Sequence, residues 1–366
     1  MKIYTISLYT GGFMNLIRFR NLLLFLVISS CWASWGASMD CRSGKSLTGS
    51  EEFVCANPSI SKLDDDMVQA YFNSKSKLSA KNQELFQQSQ RAWLEYWPKV
   101  CSEDGKGNSL ESLQTQNGVS CAEQEYRERV RVLQLKKMTD DFVMFYSSTY
   151  KTLAPAKKGI PDSVNLTYHK VIYPQIETQK LKGEVLSKAN IFNQWVSTTM
   201  TEFGKTNNTN FNENDANSVL VLFLDASTTD LISFVANFSF DGFTSNPKQI
   251  VERHHFVVSK SRPLRDFDLF DNPEWLRMSM PALFQSLRAQ LAGKFSLKSS
   301  EELGGLVKNP THWEFTKEGI LFHFSPGEVA PASLGYPKAL IRWKGLKGYI
   351  GSSGKKFVRE ITQAEY

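Results

Sequence analysis

Cys41, Cys55, Cys101 and Cys121 are the residues of this 366-residue chain whose spacing most clearly carries chemistry, and that chemistry is oxidation to disulfides. The intervals are long and irregular, no two form a C-x-x-C pair, and no histidine lies near them. A tetrahedral zinc site would usually show a C-x-x-C pair or a nearby histidine. The five histidines all fall later. His254 and His255 are adjacent on a strand-like segment, so they point to opposite faces and cannot hold one metal together. His323 alternates with Phe322 and Phe324, while His169 and His312 stand alone; none belongs to an H-E-x-x-H or H-x-x-E-H pattern. Asp225, Asp230, Asp241 and Glu328 fall at loops or strand ends, where a glycosidase pair would sit, but nothing in the spacing fixes their separation. The residues therefore point to a non-enzyme with no catalytic set, metal or cofactor.

The cysteines must be positioned by helices. Ile60, Leu63, Met67, Tyr71, Lys75 and Leu78 recur at helical intervals behind Asp64, Asp65 and Asp66. Leu85, Ser89, Trp93 and Trp97 continue on a second helix, expected to stop at Pro98. After a Gly/Ser/Asn/Gln-rich loop at 102–119, Ser120 and Glu123 read as a capping box opening a third helix. The face of Tyr126, Val130, Leu133, Lys137, Asp141 and Phe145 carries that helix past the core. Antiparallel packing brings all four sulfurs towards one pole, which leaves the three pairings open. Each bridge is expected to contribute on the order of 2–4 kcal/mol to a module whose core is small.

Residues 151–163, KTLAPAKKGIPDS, read as a linker. Beyond it, strand-like segments occur at 164–172, 219–224, 231–240 and 250–258. Helical stripes run through Phe192, Trp195, Thr199 and Phe203, and through Leu276, Met280, Leu283, Leu287 and Leu291. Short strands follow at 313–316, 320–324 and 339–343. The expected architecture is a small disulfide-bonded helical module at 39–150 joined to a mixed α+β domain at 164–350, with a basic tail at 351–366.

Arg18 and Arg20 precede the apolar segment Asn21–Ser30, which is about half a membrane span, and small residues follow it. This is the layout of a secretory signal over residues 1–38. Cleavage near Gly36 or Ser38 releases a soluble protein. The alternative reads Ile28-Ser29-Ser30-Cys31 as a lipobox and places a lipid on Cys31. Either way an even number of cysteines enters an oxidising compartment, periplasm or cell envelope. Residues 41–150 carry 14 Lys/Arg against 15 Asp/Glu, and 151–366 carry 26 against 21, so the second half holds most of the net charge of +6. Export and the ordinary distribution of basic residues exclude nucleic acid as a partner, and the only membrane contact expected is the lipid anchor.

Cys41, Cys55, Leu63, Tyr71, Gln90-Arg91-Ala92-Trp93, Cys101, Cys121, Tyr126 and Arg129 together resemble the LprI-like lysozyme-inhibitor domain of bacterial envelope proteins, over about residues 39–137. Trp93 and Tyr126 are expected in the core, with Arg91 and Arg129 paired to acidic residues such as Asp64. The second half resembles the extracytoplasmic domain of RsiV, which also accompanies PdaC-type deacetylases. The residues carrying this likeness are Lys170-Val171-Ile172-Tyr173-Pro174, Arg262-Pro263-Leu264, Asp268-Leu269-Phe270 and the block from Gly319 to Pro331. That resemblance implies a partner-contacting segment of Ser325, Pro326, Glu328, Val329, Pro331 and Tyr336. The chain departs from the family in having Gly327 where an aromatic is usual, which removes an interface anchor.

Two modules that each resemble lysozyme-associated proteins imply a binding protein that inhibits or senses lysozyme or a related muramidase. The alternatives are a non-inhibitory envelope factor that binds peptidoglycan or an assembly partner, and a cell-wall glycan hydrolase.

Overall fold

The computed structural model describes residues 41, 46–137, 142–154, 166–207, 216–241, 248–291, 294 and 300–363. The signal segment, Cys31 and residues 155–163 of the expected linker lie outside the described residues. Helix α1 (Gly49–Ala56) is capped by Thr48, whose hydroxyl and backbone exchange hydrogen bonds with Glu51. Helix α2 (Pro58–Lys75) and α3 (Ala80–Cys101) form the hairpin, and α4 (Leu110–Leu113) and α5 (Gln116–Leu133) complete the helical module.

Three local expectations are corrected. Helix α3 continues through Pro98 to Cys101. The N-cap of α5 is Thr115, which accepts from Gly118, so Ser120 and Glu123 lie inside the helix rather than at its start. Helix α5 ends at Leu133, and Val143–Leu153 is a strand, β2. Its run of aromatic, β-branched and hydroxyl side chains suits a pleated surface better than a helix.

Among the described residues, seven strands form one sheet in sequence order: β1 (Lys136–Lys137), β2, β3 (Thr167–Ile176), β4 (Asn217–Ser227), β5 (Leu231–Asp241), β6 (Lys248–Val257) and β7 (Arg262–Pro263). All neighbours are antiparallel except β3 and β4, whose parallel pairing requires a crossover. Helix α6 (Gly183–Asn207) supplies it. It buries Ala189, Phe192 and Val196 against Phe234, Ala236, Phe238 and Phe256 on one face of the sheet.

The other face of the sheet is shared. At one end the helical module covers β2 and β3, and Phe145 belongs to the helical core rather than to the α6 side. At the other end a second unit closes over β6. It contains α7 (Asp266–Leu269), α8 (Glu274–Leu291), α9 (Ser300–Lys308), a three-stranded sheet of β8 (Trp313–Phe315), β9 (Gly319–His323) and β10 (Lys338–Arg342), α10 (Trp343–Leu346) and α11 (Ser352–Gln363). Trp275, Leu283, Leu287, Trp313, Ile320, Phe322, Leu346 and Phe357 fill its core. Gly319 is required where β9 meets β10, because a Cβ there would collide with the Ile341 carbonyl. The expected basic tail is therefore mostly the helix α11, anchored by Phe357. Among the described residues no helix is long and apolar enough to cross a membrane.

Asp268 fixes the start of this second unit. Its side chain is fully enclosed and takes Arg262 at 2.7 and 2.8 Å, Lys260, and the backbone N–H of Arg265 at 2.9 Å. Burial alone would push its carboxyl up, but these donors win and hold it down to about 2. A folded-state value depressed below the ordinary one of about 3.9 adds stability above pH 4, which is lost as pH falls towards 2. Asp268→Asn is expected to cost about 2–3 kcal/mol at pH 7, and the gap to the parent should close between pH 4 and pH 2 in denaturant titrations. A gap that persists at the acid end would show that packing, not charge, sets the cost.

Candidate functional site

The helical module is built around aromatic rings. Trp93 meets Tyr126 edge-on at 4.9 Å, Trp97 meets Tyr126 at 5.3 Å, and Phe53 closes on Trp97 at 6.1 Å. Two disulfides frame it. Cys41 pairs with Cys55 and Cys101 with Cys121, with Cα–Cα distances of 5.6 and 5.4 Å. The first ties the incoming chain to α1, and the second ties the end of α3 to the first turns of α5. Thiol labelling of denatured, unreduced protein should find none of the four free; labelling at any of them would contradict this pairing.

Helical periodicity divides the Gln90-Arg91-Ala92-Trp93 motif. Gln90 and Trp93 point inward, and Arg91 points outward. The outward stripe of α3 runs through Glu84, Leu85, Gln88, Arg91, Leu94 and Glu95, all exposed. Leu85 and Leu94 are 40% and 36% exposed, and Phe72 near the end of α2 is 47% exposed. Apolar side chains set among both signs of charge suit a protein contact surface.

Arg129 does not have the partner expected of it. It is buried and spans α3 and β2: Nε donates to Gln90 at 2.9 Å, and Nη1 donates to Ser89 and Ser148 at 3.0 Å and Tyr150 at 3.3 Å. Its guanidinium also lies 5.9 Å over Trp93 and 5.6 Å over Tyr150. Burial pulls its pKa down from the usual range, and the hydrogen bond to Tyr150 opposes this only in part. Asp64 instead accepts from the Tyr126 hydroxyl at 3.3 Å. Next to Arg129, Lys170 of β3 reaches Glu125 at 2.8 Å and Glu128 at 2.7 Å on α5. Burial opposes the Lys170 charge, yet the two carboxylates hold its pKa above the ordinary value, while burial pushes Glu125 up. Glu177 at the end of β3 accepts from the backbone of Ser79 at 3.0 Å and from Asn82 at 2.9 Å, fixing the start of α3. Sequence spacing does not show these contacts, although Lys170 lies two residues before Ile172 on the same face of a strand, which marks an inward-facing charge.

The C-terminal segment is assembled differently from expectation. Val329 is fully buried in the second core, so it is a packing residue and not a partner contact. Glu328 accepts the Ser325 backbone N–H at 2.6 Å and the His312 imidazole at 3.2 Å. It closes a turn, and those donors hold its pKa down against burial. Gly327 in that turn has φ +92°, a conformation in which an aromatic side chain would be strained. Ser325 and Pro326 are half-buried and Pro331 is exposed. The half-buried Tyr336 donates to the Gln249 carbonyl at 3.4 Å.

The histidines fall into separate environments. His255 is enclosed, with Nε2–H donating to the Trp313 carbonyl at 2.9 Å and Nδ1 facing Ser233 at 2.8 Å. Burial pushes it down to about 3, so it stays neutral. His254, on the opposite face of β6, meets Trp195. His323 lies against Glu314, which also accepts Arg253 Nη2 at 2.7 Å. Burial pulls the His323 pKa down, and this hydrogen bond holds Glu314 low. Asp225 stands within electrostatic reach of Arg253, Glu314 and His323. Among the described residues, no group of three or more His, Cys, Asp or Glu is arranged to hold a metal ion.

Residues 41–133 match the family model described as Lysozyme inhibitor LprI. Residues 268–344 match the model described as Protein of unknown function, DUF3298. The chain thus carries an LprI domain followed by a DUF3298 domain, and the RsiV/PdaC likeness is a finer statement than the second match. No curated protein matches the chain. A DUF3298-family protein from Bacteroides fragilis is 11% identical, with a TM-score of 0.40, covering 63% of this chain and 100% of that one. A second, from Pseudomonas aeruginosa, is 10% identical, with a TM-score of 0.42, covering 59% and 98%. Both scores are too low to bear on function.

Proposed function

We propose that this chain is an exported envelope protein that binds and inhibits lysozyme or a related muramidase through its helical module. The observation that carries the reading is the LprI match over 41–133, which coincides with the disulfide-framed helices. Such a frame loses little freedom on binding, so more of the contact energy appears as affinity. The outward stripe of α3, with Leu85, Arg91 and Leu94, is the surface we assign to the contact. Charge supports the same half: residues 151–366 carry 26 Lys/Arg against 21 Asp/Glu, and a basic muramidase is repelled by a basic surface.

The test is a turbidity assay in which purified mature protein is added to a muramidase acting on cell walls. Inhibition of lysis is expected. Leu94→Asp should weaken it at least about tenfold, roughly 1.4 kcal/mol, with an unchanged melting temperature. Unimpeded lysis by muramidases of every class tried would overturn the inhibitor reading. Release of wall fragments by the protein itself would favour a hydrolase.

A further inference from the structure

Among the described residues, no element covers the middle of the large sheet on one face. Helix α6 covers the other side of β4, β5 and β6, while the helical module and the three-stranded sheet cover the two ends of this side. Cross-strand register places Phe223, Val235 and Arg253 in one row, Val221, Asn237 and Val251 in the next, and Val219, Ser239 and Gln249 in the third. Asn237, Ser239 and Gln249 are exposed, and Phe223 is half-buried. Phe223 also lines a groove of about 450 Å³ against α5, where the Arg131 guanidinium lies 3.7 Å over its ring.

At the head of this face the polar groups are incompletely paired. A β-bulge between Leu224 and Ala226 adds Asp225 to β4 as an extra residue, and bulges commonly re-aim a side chain beside a functional site. Asp225 is exposed. Among the described residues, neighbouring charges act on its carboxylate but none hydrogen-bonds to it. Arg253, only 8% exposed, gives Nη2 to Glu314, yet among the described residues its Nε and Nη1 have no hydrogen-bond partner. A buried donor left in this state costs free energy that a ligand recovers by accepting from it.

We propose that this open sheet face is a glycan-binding site that takes an amino-sugar unit at the Asp225–Arg253 end. Adjacent hydroxyl or amide groups of a sugar donate to one partner and accept from the next, which suits a solvent-facing carboxylate beside guanidinium N–H groups that lack an acceptor. Asn237, Ser239 and Gln249 continue the face with neutral groups that donate and accept, as a polyhydroxylated chain needs. Phe223 offers a ring edge beside them. A fully anionic ligand fits less well, because Asp225 and Glu314 both face the site.

The test is calorimetric titration of the full mature chain with chitin oligosaccharides, alongside a pull-down with insoluble peptidoglycan. No muramidase is present, so the result is independent of the inhibitor reading. Saturable binding in either arm is expected, weakened about tenfold or more by Asp225→Ala, a loss of roughly 1.4 kcal/mol. Asn237→Arg, a change at an exposed position, should block the face while leaving the melting temperature unchanged; Arg277→Ala on α8 should bind as the parent does. Absence of binding in both arms, or binding that neither Asp225→Ala nor Asn237→Arg alters, would overturn the assignment. Displacement of the oligosaccharide by acetate alone would overturn it too, by revealing a simple anion site.

Discussion

Lys170→Met is expected to destabilise the protein by about 3–5 kcal/mol, because it leaves two carboxylates at the helix–sheet seam without their cation. Glu125 and Glu128 both depend on Lys170 Nζ, and the side chains of Lys170 and Glu125 are nearly enclosed. Removing the cation alone strands charge in a place that water barely reaches. Removing all three charges together, in Lys170→Met with Glu125→Gln and Glu128→Gln, should recover most of the loss, since a buried ion pair and an apolar or neutral replacement are often close in stability. The loss in the single variant should also shrink as the medium is acidified and Glu125, already pushed upward by burial, takes up a proton. Denaturant titrations of the parent, single and triple variants decide it. A single variant within about 1 kcal/mol of the parent, the range of an exposed ion pair, would show that the seam is open to water.

Removal of the Cys101–Cys121 bridge by paired substitution to Ser should cost about 3 kcal/mol, from the freedom restored to a 20-residue loop in the unfolded chain. The folded state adds to this. Cys101 is buried, and a Cβ at Gly118 would meet the carbonyls of Leu113 and Cys101, so the backbone at this corner is packed without slack. A misplaced α5 start would also displace Glu125 and Arg129 further along the same helix. Cys41–Cys55 closes a 14-residue interval, and its removal, by loop length alone, also costs about 3 kcal/mol. It should leave the seam intact, because it lies on the segment leading into α1. Thermal unfolding with and without reductant, on each paired variant, separates the two. If the Cys101–Cys121 variant melts with the parent, the helical core is held by its aromatic packing.

Much of this architecture was legible because periodicity survives burial. The stripe from Ile60 to Tyr71, the strand at 231–240 and the stripe from Leu276 to Leu291 all became the elements expected of them. The LprI likeness, resting on cysteine order and an interior Gln-Arg-x-Trp, was matched by the family model. Failures cluster where tertiary contacts override local signals. Ser120 and Glu123 carry a capping pattern, but Thr115 caps the helix earlier because α4 places it there. Phe145 fits the helical face by number, yet its neighbours commit it to a strand. The charge of Arg129 suggests a carboxylate partner, yet its acceptors are hydroxyls and an amide on separate elements, which no spacing within one segment encodes. Val329 sits within a segment whose likeness implied contact, and the buried side of a turn cannot be told from its exposed side by residue type. The Asp225–Arg253 juxtaposition depends on a one-residue bulge, invisible to alternation.

Strand β2 belongs to two neighbours at once. Its backbone is held by β3, while Phe145, Ser148 and Tyr150 are spent on the helices. A graft that moves only residues 41–133 to another scaffold would carry Arg129 with its acceptors on β2 missing and would open the helical core to solvent. The transferable unit therefore runs on through β3, and any junction for a chimera or circular permutation belongs beyond Ile176. Natural recombination between the two halves would face the same restriction: the exchange point tolerated by the fold lies past the end of the recognisable helical domain, inside the sheet of its partner.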